Sequence, residues 1–299
     1  MGLVSDTLRF GIDLGGTKTE GIILDAAGKT RFRERVPTDA SGYHRVLDGI
    51  VDLYREMRRA VDDAPHTLGI GTPGSVAKRS ALLRNSNTIC LNGMPVAGDL
   101  RARLGRDFVL ANDANCFALA EALHGAARGK RVVFGVIMGT GCGGGLVIDG
   151  AVHTGLQSIA GEWGHMAIDP NGPPCYCGQR GCVETFISGS GLARRYAERT
   201  GAQRSVPEIV AGYRASEPVA VALLDDFLAR FGRALANVIA VVDPDIVVLG
   251  GGLSNIDELY TTGIAETARR VFSDTLDTPI VRHLLGDSAG VIGAALVGR

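Results

Sequence analysis

Alternating apolar and polar stretches divide the first half of the chain into short strands and helices. "LRFGIDLGG", "TEGIILD" and "TRFRERVP" are apolar or alternating runs separated by glycine-containing turns, so we predict three successive strands. Residues 43–61 have helical spacing, and "GDLRARLGR" and "ANCFALAEALHGAA" predict two further helices. The runs "TLGIGTPG" and "DFVLAND" predict short strands between these helices. Strands that alternate with helices in this way indicate an α/β fold.

The second half of the chain repeats this scheme. "RVVFGVIMG", "GGLVIDG" and "DIVVLGGG" predict strands, and helices are expected over 217–240, over 256–272 and in "GVIGAALVG". Residues 11–25 align with residues 135–149, so that glycines and the closing aspartate of the two segments coincide. Chance similarity of two glycine hairpins is one explanation, and we prefer a duplicated strand–turn–strand unit. We expect two domains: residues 1–113, completed by the last helix at about 288–299, and residues 114–287.

Length and composition narrow the class of protein. The chain has 299 residues, 45% of them hydrophobic and 21% charged, which is the balance of a globular protein with two domains. A net charge of −1 gives no general attraction to nucleic acid or to acidic membranes. We expect no secretory signal in "MGLVSDTLRF" and no membrane span, and therefore a cytoplasmic location.

Two glycine-rich loops follow predicted buried strands. The first lies in "GIDLGGTKT" and the second in "GTGCGGGL", residues 139–146. Glycine lets the backbone come close to an anion, so that N–H groups can point at phosphate oxygens. Neither loop matches the P-loop or GxGxxG patterns, and either one alone would more often be an ordinary turn. Two related loops favour phosphate binding, and the glycines of "LGGGLS" (249–254) would suit an edge that contacts adenosine.

Asn112 and Asp113 lie between a predicted strand and a predicted helix. Asp113 could simply cap the helix, although Cys116 stands three residues later where a capping box has Glu or Gln. The carboxyl end of a strand in an α/β fold is also where ligands bind. There Asp113 could accept a proton from a hydroxyl that attacks a phosphoryl group.

One histidine and three cysteines are spaced H-x9-C-x-C-x4-C. They are His165, Cys175, Cys177 and Cys182, a donor set that zinc binds tetrahedrally in closed structural sites. A redox CxxC pair is absent because one residue separates Cys175 from Cys177. A chance cluster of thiols is the alternative. Two glutamates, Glu162 and Glu184, flank this segment. They are either solvated or first-turn helix residues, or they accept hydrogen bonds from sugar hydroxyls at positions that the metal loop fixes.

With these motifs identified, the chain resembles the ROK family of bacterial sugar kinases from about residue 9 onwards. The resemblance is carried by "DLGGTKTE", "GTPGS", "ANDANC", "GTGCGGG", "CYCGQRGCVETFISG" and "DPDIVVLGGGLSN". It implies an actin-like, hexokinase-type (ribonuclease H-like) ATPase fold with two α/β domains around a cleft. It also implies ATP, Mg²⁺, a structural zinc and a homodimer.

The resemblance assigns roles residue by residue. Asp113 corresponds to the general base, and His165 to a residue that touches both sugar and metal. The further sugar contacts would be Asn87, Asn112, Glu162 and Glu184. The expected nucleotide-binding residues are Asp13, Gly15, Gly16, Thr17, Lys18, Gly139, Thr140, Gly141, Gly143, Gly251 and Gly252. The expected metal ligands are His165, Cys175, Cys177 and Cys182.

The identity of the acceptor sugar is the most specific expectation. About nine residues precede "FGIDLGG", which is too few for the winged helix of the family's repressors, so we expect no nucleic-acid partner. "GGTKTE", "NSNTICLNG" and "CYCGQRGCVETFISG" look most like the bacterial fructokinases that also accept mannose and glucose. We therefore expect phosphorylation of fructose at its 6-hydroxyl. An N-acetylglucosamine kinase of the same family and a sugar-sensing protein without turnover are the alternatives.

Overall fold

The computed structural model describes residues 7–298, and it divides into two compact units. The first comprises Met1–Ala120, Ala151–Ala160 and Leu285–Arg299, and the second comprises Glu121–Gly150 and Gly161–Leu284. Residues 1–6 and 299 lie outside the described part. The signal-peptide expectation and the outer domain bounds fall on these residues. The predicted domain bounds stay a prediction, because a division by contacts does not test where an independently folding domain ends.

The regular elements alternate along the chain as an α/β fold requires. The strands are β1 Leu8–Leu14, β2 Lys18–Leu24, β3 Thr30–Pro37, β4 His66–Thr72, β5 Ser75–Val76, β6 Leu83–Arg84, β7 Val109–Asn112, β8 Val132–Met138, β9 Cys142–Ile148, β10 Ala151–Val152, β11 Ile246–Gly250 and β12 Ile280–Arg282. The helices are α1 Tyr43–Arg59, α2 Val96–Leu104, α3 Asp113–His124, α4 Glu184–Ile187, α5 Gly189–Thr200, α6 Val206–Arg214, α7 Pro218–Val242, α8 Thr262–Ala268 and α9 Ala289–Val297. Within residues 7–298, no helix combines the length and apolarity that a membrane span needs.

The sheet of the first unit has the order β3-β2-β1-β4-β7. Alternation along β1 buries Phe10, Ile12 and Leu14 in one core, with the apolar face of α1. The other face of the sheet carries Gly11 and Gly69, and α9 lies directly on their bare backbone. A Cβ at Gly11 would come within 2.4 Å of the Ala295 nitrogen, and one at Gly69 within 1.9 Å of the Ala294 oxygen. The sheet is thus covered on both faces, and α9 needs glycine at both strand positions.

The second unit is built on a sheet in which β9, β8, β11 and β12 lie side by side in that order. The long helix α7 contributes Phe227, Phe231 and Leu235 to its core, each fully buried. Helices α4 to α6, which the sequence analysis does not predict, pack in the same core. Residues 161–183 contain little regular structure: the 3-10 helix Trp163–His165 and the isolated bridges Ala167–Cys182 and Pro174–Arg180.

The predicted repetition of a strand–turn–strand unit is present in the structure. β1 pairs with β2 and β8 with β9, both antiparallel, and three residues connect each pair. In each sheet the first strand of the hairpin also pairs in parallel with a later strand, β4 or β11. The two hairpins differ by one residue of register, since Leu14 faces Thr19 whereas Met138 faces Cys142. Both glycine loops therefore lie at the same place in equivalent sheets.

One predicted helix is wrong in its extent. Residues 256–272 do not form a single helix, but a 3-10 helix, Asp257–Tyr260, followed by α8. Thr261 interrupts the two with φ −120° and ψ −83°, outside the helical region. The Tyr260 hydroxyl donates to the Ser254 carbonyl 2.8 Å away, which turns the first segment back on itself. Apolar spacing continues across the break, so periodicity could not reveal it.

We predict that Gly69→Ala destabilises the chain by at least about 2 kcal/mol, because the added methyl group would overlap a carbonyl of α9. Gly49→Ala is the matched control. Gly49 is an exposed position of α1 with nothing within 4 Å of an added Cβ, and alanine there should stabilise by about 0.5–1 kcal/mol. Urea unfolding of both variants measures the difference, and equal effects would contradict the close packing of α9.

Candidate functional site

The first glycine loop is a tight turn between β1 and β2. The Gly15 N–H donates to the Lys18 carbonyl at 2.9 Å, and a Cβ at Gly15 would lie 2.8 Å from that oxygen. The Thr38 hydroxyl donates to the Gly15 carbonyl at 2.9 Å and holds the turn from the side of β3. Gly16, Thr17 and Lys18 are exposed. The turn therefore presents a backbone free of side chains at Gly16, beside one cationic group.

Asp13 and Asp113 are two partly buried carboxylates of the first unit that influence each other. Burial, then the charges of Asp113 and Glu20, raise the pKa of Asp13 to about 7. Burial also raises the pKa of Asp113, against the effect of the Ala114 N–H, which donates to its Oδ1 at 2.8 Å. The backbone of α9 confines Asp13, because a Cβ at Gly290 would lie 2.5 Å from its Oδ2. Two acids with raised pKa values are thus held at the carboxyl ends of β1 and β7.

Asn112 fixes the start of α3. Its Oδ1 accepts the Ala114 N–H at 2.9 Å, and its Nδ2 donates to the Gly74 carbonyl at 3.0 Å. Asn112 thus takes the capping position that the sequence analysis considered for Asp113. Gly74 has φ +83° and no room for a Cβ, since the Arg84 carbonyl would be 2.3 Å away. One amide therefore joins β7, α3 and the loop after β4.

Asn87 lies next to Gly16, in a loop that is held in shape by hydrogen bonds. Asn92 braces this loop, because its Oδ1 accepts the Ser86 N–H at 2.8 Å and its Nδ2 donates to the Ser86 carbonyl at 2.9 Å. Asn87 Oδ1 and Thr88 Oγ1 lie 3.9 and 3.8 Å from where a Cβ of Gly16 would stand. Thr88 Oγ1 is buried and has no hydrogen-bond partner among the described residues. Two polar groups thus converge next to the first glycine loop.

The second glycine loop and the "GGG" segment meet at the carboxyl edge of the second sheet. The Gly139 N–H donates to the Gly141 carbonyl at 2.9 Å, and Ser190 Oγ donates to the Thr140 carbonyl at 2.6 Å. Gly251 has φ +77°, and a Cβ there would lie 2.3 Å from the Met138 carbonyl, at the end of β8. Gly252 follows with open space around its Cβ position. The predicted nucleotide-binding glycines of this unit are therefore brought together.

Glu184 and the residue after Glu162 are hydrogen-bonded to β9. Glu184 Oε2 accepts the Cys142 N–H at 2.9 Å and leaves no space for a side chain at Gly141. Glu162 precedes Trp163, the single tryptophan of the chain, whose ring nitrogen donates to the Gly143 carbonyl at 2.9 Å. Both glutamates thus lie beside the second glycine loop, which contains Gly143.

His165, Cys175, Cys177 and Cys182 form one cluster, in which the four candidate ligand atoms lie within 4.8 Å of one another. Cys177 Sγ is 3.6 Å from Cys182 Sγ, and Cys175 Sγ is 3.6 Å from His165 Nδ1. Ligands about 2.3 Å from a tetrahedral zinc ion lie roughly 3.8 Å apart, so the donor set and its spacing suit zinc.

Tyr176 is a residue of this site that the sequence analysis did not identify. Its hydroxyl lies 3.0 Å from His165 Nε2, and the two rings pack edge to face at 5.1 Å. Burial, and then the charges of Glu184, Cys175 and Glu162, raise its pKa. These charges place both glutamates near the tyrosine. Its position between Cys175 and Cys177 is the signal in the sequence, because a residue enclosed by two candidate ligands has to lie close to their cluster.

The ROK family model matches residues 9–299. An N-acetyl-D-glucosamine kinase from Citrobacter koseri is 38% identical, over 96% of this chain and 98% of its own length. The crystal structure of a ROK hexokinase from Thermus thermophilus superimposes with a TM-score of 0.89 at 33% identity, covering 98% of each chain. A ROK family glucokinase from Streptomyces griseus, solved with glucose and AMPPNP, has a TM-score of 0.75 at 29% identity, covering 98% of this chain and 99% of its own.

The raised pKa of Asp13 predicts a pH-dependent stability. In the unfolded chain this carboxyl has a pKa of about 4. Between that value and about 7 the folded state holds the extra proton, so this contribution to the free energy of unfolding is lost as pH rises towards 7. Asp13→Asn removes the effect, so its stability relative to the native chain should rise between pH 4 and 8 by on the order of 4 kcal/mol at most.

Urea unfolding at several pH values, without nucleotide or Mg²⁺, measures this difference. Asp52→Asn, an exposed carboxylate of α1, is the control and should run parallel to the native chain. If Asp13→Asn also ran parallel, Asp13 would titrate in the folded state as it does in the unfolded state.

Proposed function

Since the chain belongs to the ROK family, we propose that it transfers the γ-phosphate of ATP to the 6-hydroxyl of a hexose. Its fold is the hexokinase-type, actin-like ATPase fold of that family, and its activity class is that of the ATP-dependent sugar kinases. The observation that carries the proposal is the pair Asp13 and Asp113, two partly buried acids with raised pKa values beside a glycine turn.

We assign Asp113 as the general base. A base is most effective when its pKa lies close to the working pH, and burial raises the pKa of Asp113 in that direction. Its Oδ1 accepts the Ala114 N–H, which orients the carboxylate at the start of α3. Asp113 would take the proton of the sugar hydroxyl as that oxygen attacks the phosphorus. The transferred group carries its charge on oxygens, so the remaining task is to stabilise that charge.

The phosphates would be bound by the two glycine loops and by Lys18. Gly252 has open space at its Cβ position, and Gly16 is an exposed glycine without backbone atoms near its Cβ position, so backbone can approach phosphate closely at both. Mg²⁺ prefers oxygen ligands and would neutralise phosphate charge when bound. Asp13 fits such an ion, because a carboxylate whose pKa lies near 7 gains from a cation beside it.

We propose that zinc occupies the cluster of His165 and three cysteines. The ligand spacing supports four protein ligands, which is a structural site that leaves no position open for catalysis. Nδ1 of His165 faces the cysteines, so its Nε2 remains on the side of Tyr176. The roles of Asn87, Asn112, Glu162, His165 and Glu184 as sugar contacts, which the resemblance implies, stay proposals.

Fructose is the acceptor that we propose first. The loop "NSNTICLNG", residues 85–93, resembles its counterpart in the fructokinases. The buried Thr88 hydroxyl without a partner supports a hydroxyl-rich ligand, since an unmade hydrogen bond at a buried group costs about 1–3 kcal/mol.

N-acetyl-D-glucosamine is the second candidate. It is favoured by relatives from Citrobacter koseri and Escherichia coli that carry the name of its kinase. A cytoplasmic location and a homodimer rest on the sequence analysis and the resemblance. Both stay predictions.

We expect Asp113→Asn to keep the fold and the affinity for sugar while turnover falls by about 10²–10⁴-fold, because the amide cannot accept the proton. Coupled release of ADP measures turnover, and calorimetry measures sugar binding. Near-native turnover in this variant would remove Asp113 from the reaction and leave it a structural role at the start of α3. Absence of ADP release in the native chain with every sugar would favour a sugar-sensing protein.

The kcat/KM values of fructose, mannose, glucose and N-acetyl-D-glucosamine test the acceptor. We expect fructose to be preferred, with mannose and glucose accepted more weakly and N-acetyl-D-glucosamine poorly. Sites that hydrogen-bond a substrate hydroxyl reject analogues without it by large factors. Thr88→Val, which keeps the shape and removes the hydroxyl, should therefore lower kcat/KM for the best sugar. A clear preference for N-acetyl-D-glucosamine would overturn fructose and leave the sugar-kinase proposal intact.

A further inference from the structure

Arg230, in the middle of α7, contacts three different side chains of the second unit. Its Nε donates to Asp226 one turn earlier, at 3.0 and 2.8 Å from the two carboxylate oxygens. Its Nη1 donates to Asp169 Oδ2 at 3.1 Å. Its guanidinium carbon lies 3.7 Å from the centre of the Phe186 ring. A single planar group therefore makes two ion pairs and one stacking contact.

These contacts join the two limbs of the segment that carries the cysteine cluster. Asp169 follows His165 by four residues, and Phe186 follows Cys182 by four. Phe186 also belongs to α4, two residues after Glu184. Arg230 thus links the long helix α7 to the chain segments before and after the cluster.

Asp169 and Phe186 also lie against glycines of the segment. The Asp169 carbonyl accepts the Gly172 N–H at 2.9 Å and lies 1.7 Å from where a Cβ of Gly181 would stand. A Cβ at Gly172 would lie 2.7 Å from Phe186 Cζ. Asp169 and Phe186 therefore pack closely against Gly181 and Gly172, where the two limbs of the segment meet. Arg230 contacts both Asp169 and Phe186 and so links the two limbs.

Arg195 of α5 strengthens the same network. It pairs with Asp226, and its guanidinium carbon lies 5.5 Å from the centre of the Phe186 ring. Two arginines and two aspartates therefore surround Phe186 with balanced charge. The guanidinium group can stack and donate in its plane at the same time, whereas an ammonium group is a point charge that cannot do both.

We propose that Arg230 is a positioning residue, which holds the His165–Cys182 segment and Glu184 in the geometry that binds zinc and sugar. Among the described residues, its partners are Asp226, Asp169 and Phe186, and none of these is a candidate metal ligand. The sugar part of this inference rests on the proposed function, whereas the part concerning segment order and metal retention does not.

The test compares Arg230→Met and Arg230→Lys with Arg214→Met. Arg214 is the matched control, because it also bridges two carboxylates of the second unit, Glu258 at 2.8 Å and Asp257 at 3.4 Å, but has no described contact with the cluster segment. Three quantities are measured on each purified full chain. They are hydrogen–deuterium exchange over residues 165–186, release of zinc to a chelating dye, and KM and kcat for the best sugar.

We expect about one zinc per native chain. In Arg230→Met the segment should exchange faster, zinc should be released to the dye faster, and the sugar KM should rise with kcat nearly unchanged. Arg230→Lys should follow Arg230→Met, because lysine cannot stack on Phe186 while reaching both aspartates. Arg214→Met should lose stability without changing any of the three.

The outcomes separate the proposals. Unchanged exchange and zinc release in Arg230→Met would overturn the positioning role, even if its stability fell as in Arg214→Met. Native behaviour of Arg230→Lys would overturn the requirement for a stacked guanidinium. A native chain without zinc would overturn the zinc proposal, and one without turnover would overturn the kinase proposal. In both cases, hydrogen–deuterium exchange still decides the role of Arg230.

Discussion

The burial of two carboxylates, Asp13 and Asp113, is the constraint on which the first unit depends. Burial raises the pKa of both groups, and the charge of Asp113 adds to the rise at Asp13. The structure keeps them in place by crowding. Gly71 and Gly290 leave no space for a side chain beside Asp13, and Asn112 ties the start of α3 to Gly74. Some glycines of this unit are therefore needed because a buried carboxylate lies against them, and others because the chain turns there.

The second unit solves a different problem, which is to hold an irregular segment without strands or long helices. Residues 161–183 have little backbone ladder to fix them, so side chains do the work. Trp163 and Glu184 bind the segment and α4 to β9, and Arg230 binds its two limbs to α7. A zinc ion would add a fourth restraint at the cysteines. Such a segment is specified by individual contacts, so single substitutions can loosen it while the sheet beneath remains intact.

Much of this arrangement could be predicted from the sequence, because it depends on local patterns. The buried strands, the two glycine loops and the H-x9-C-x-C-x4-C spacing are local, and the structure contains them all. What the sequence could not indicate depends on contacts between distant residues. Nothing local distinguishes Arg230 from other helical arginines, and apolar spacing runs across the break at Thr261. The orphaned hydroxyl of Thr88 likewise becomes visible only when its neighbours are in place.

The covering of the first sheet by α9 also has a consequence for the order of events during synthesis. β1 and β4 are complete at Thr72, but the helix that covers their glycine face begins only at Ala289. Domains generally fold as units while synthesis proceeds from the amino end. Here the earlier unit has to wait with an open apolar face, whereas the later unit already has all its strands. A nascent chain that has not yet reached α9 therefore exposes this face to aggregation and to chaperones, and the synthesis of α9 allows the face to close.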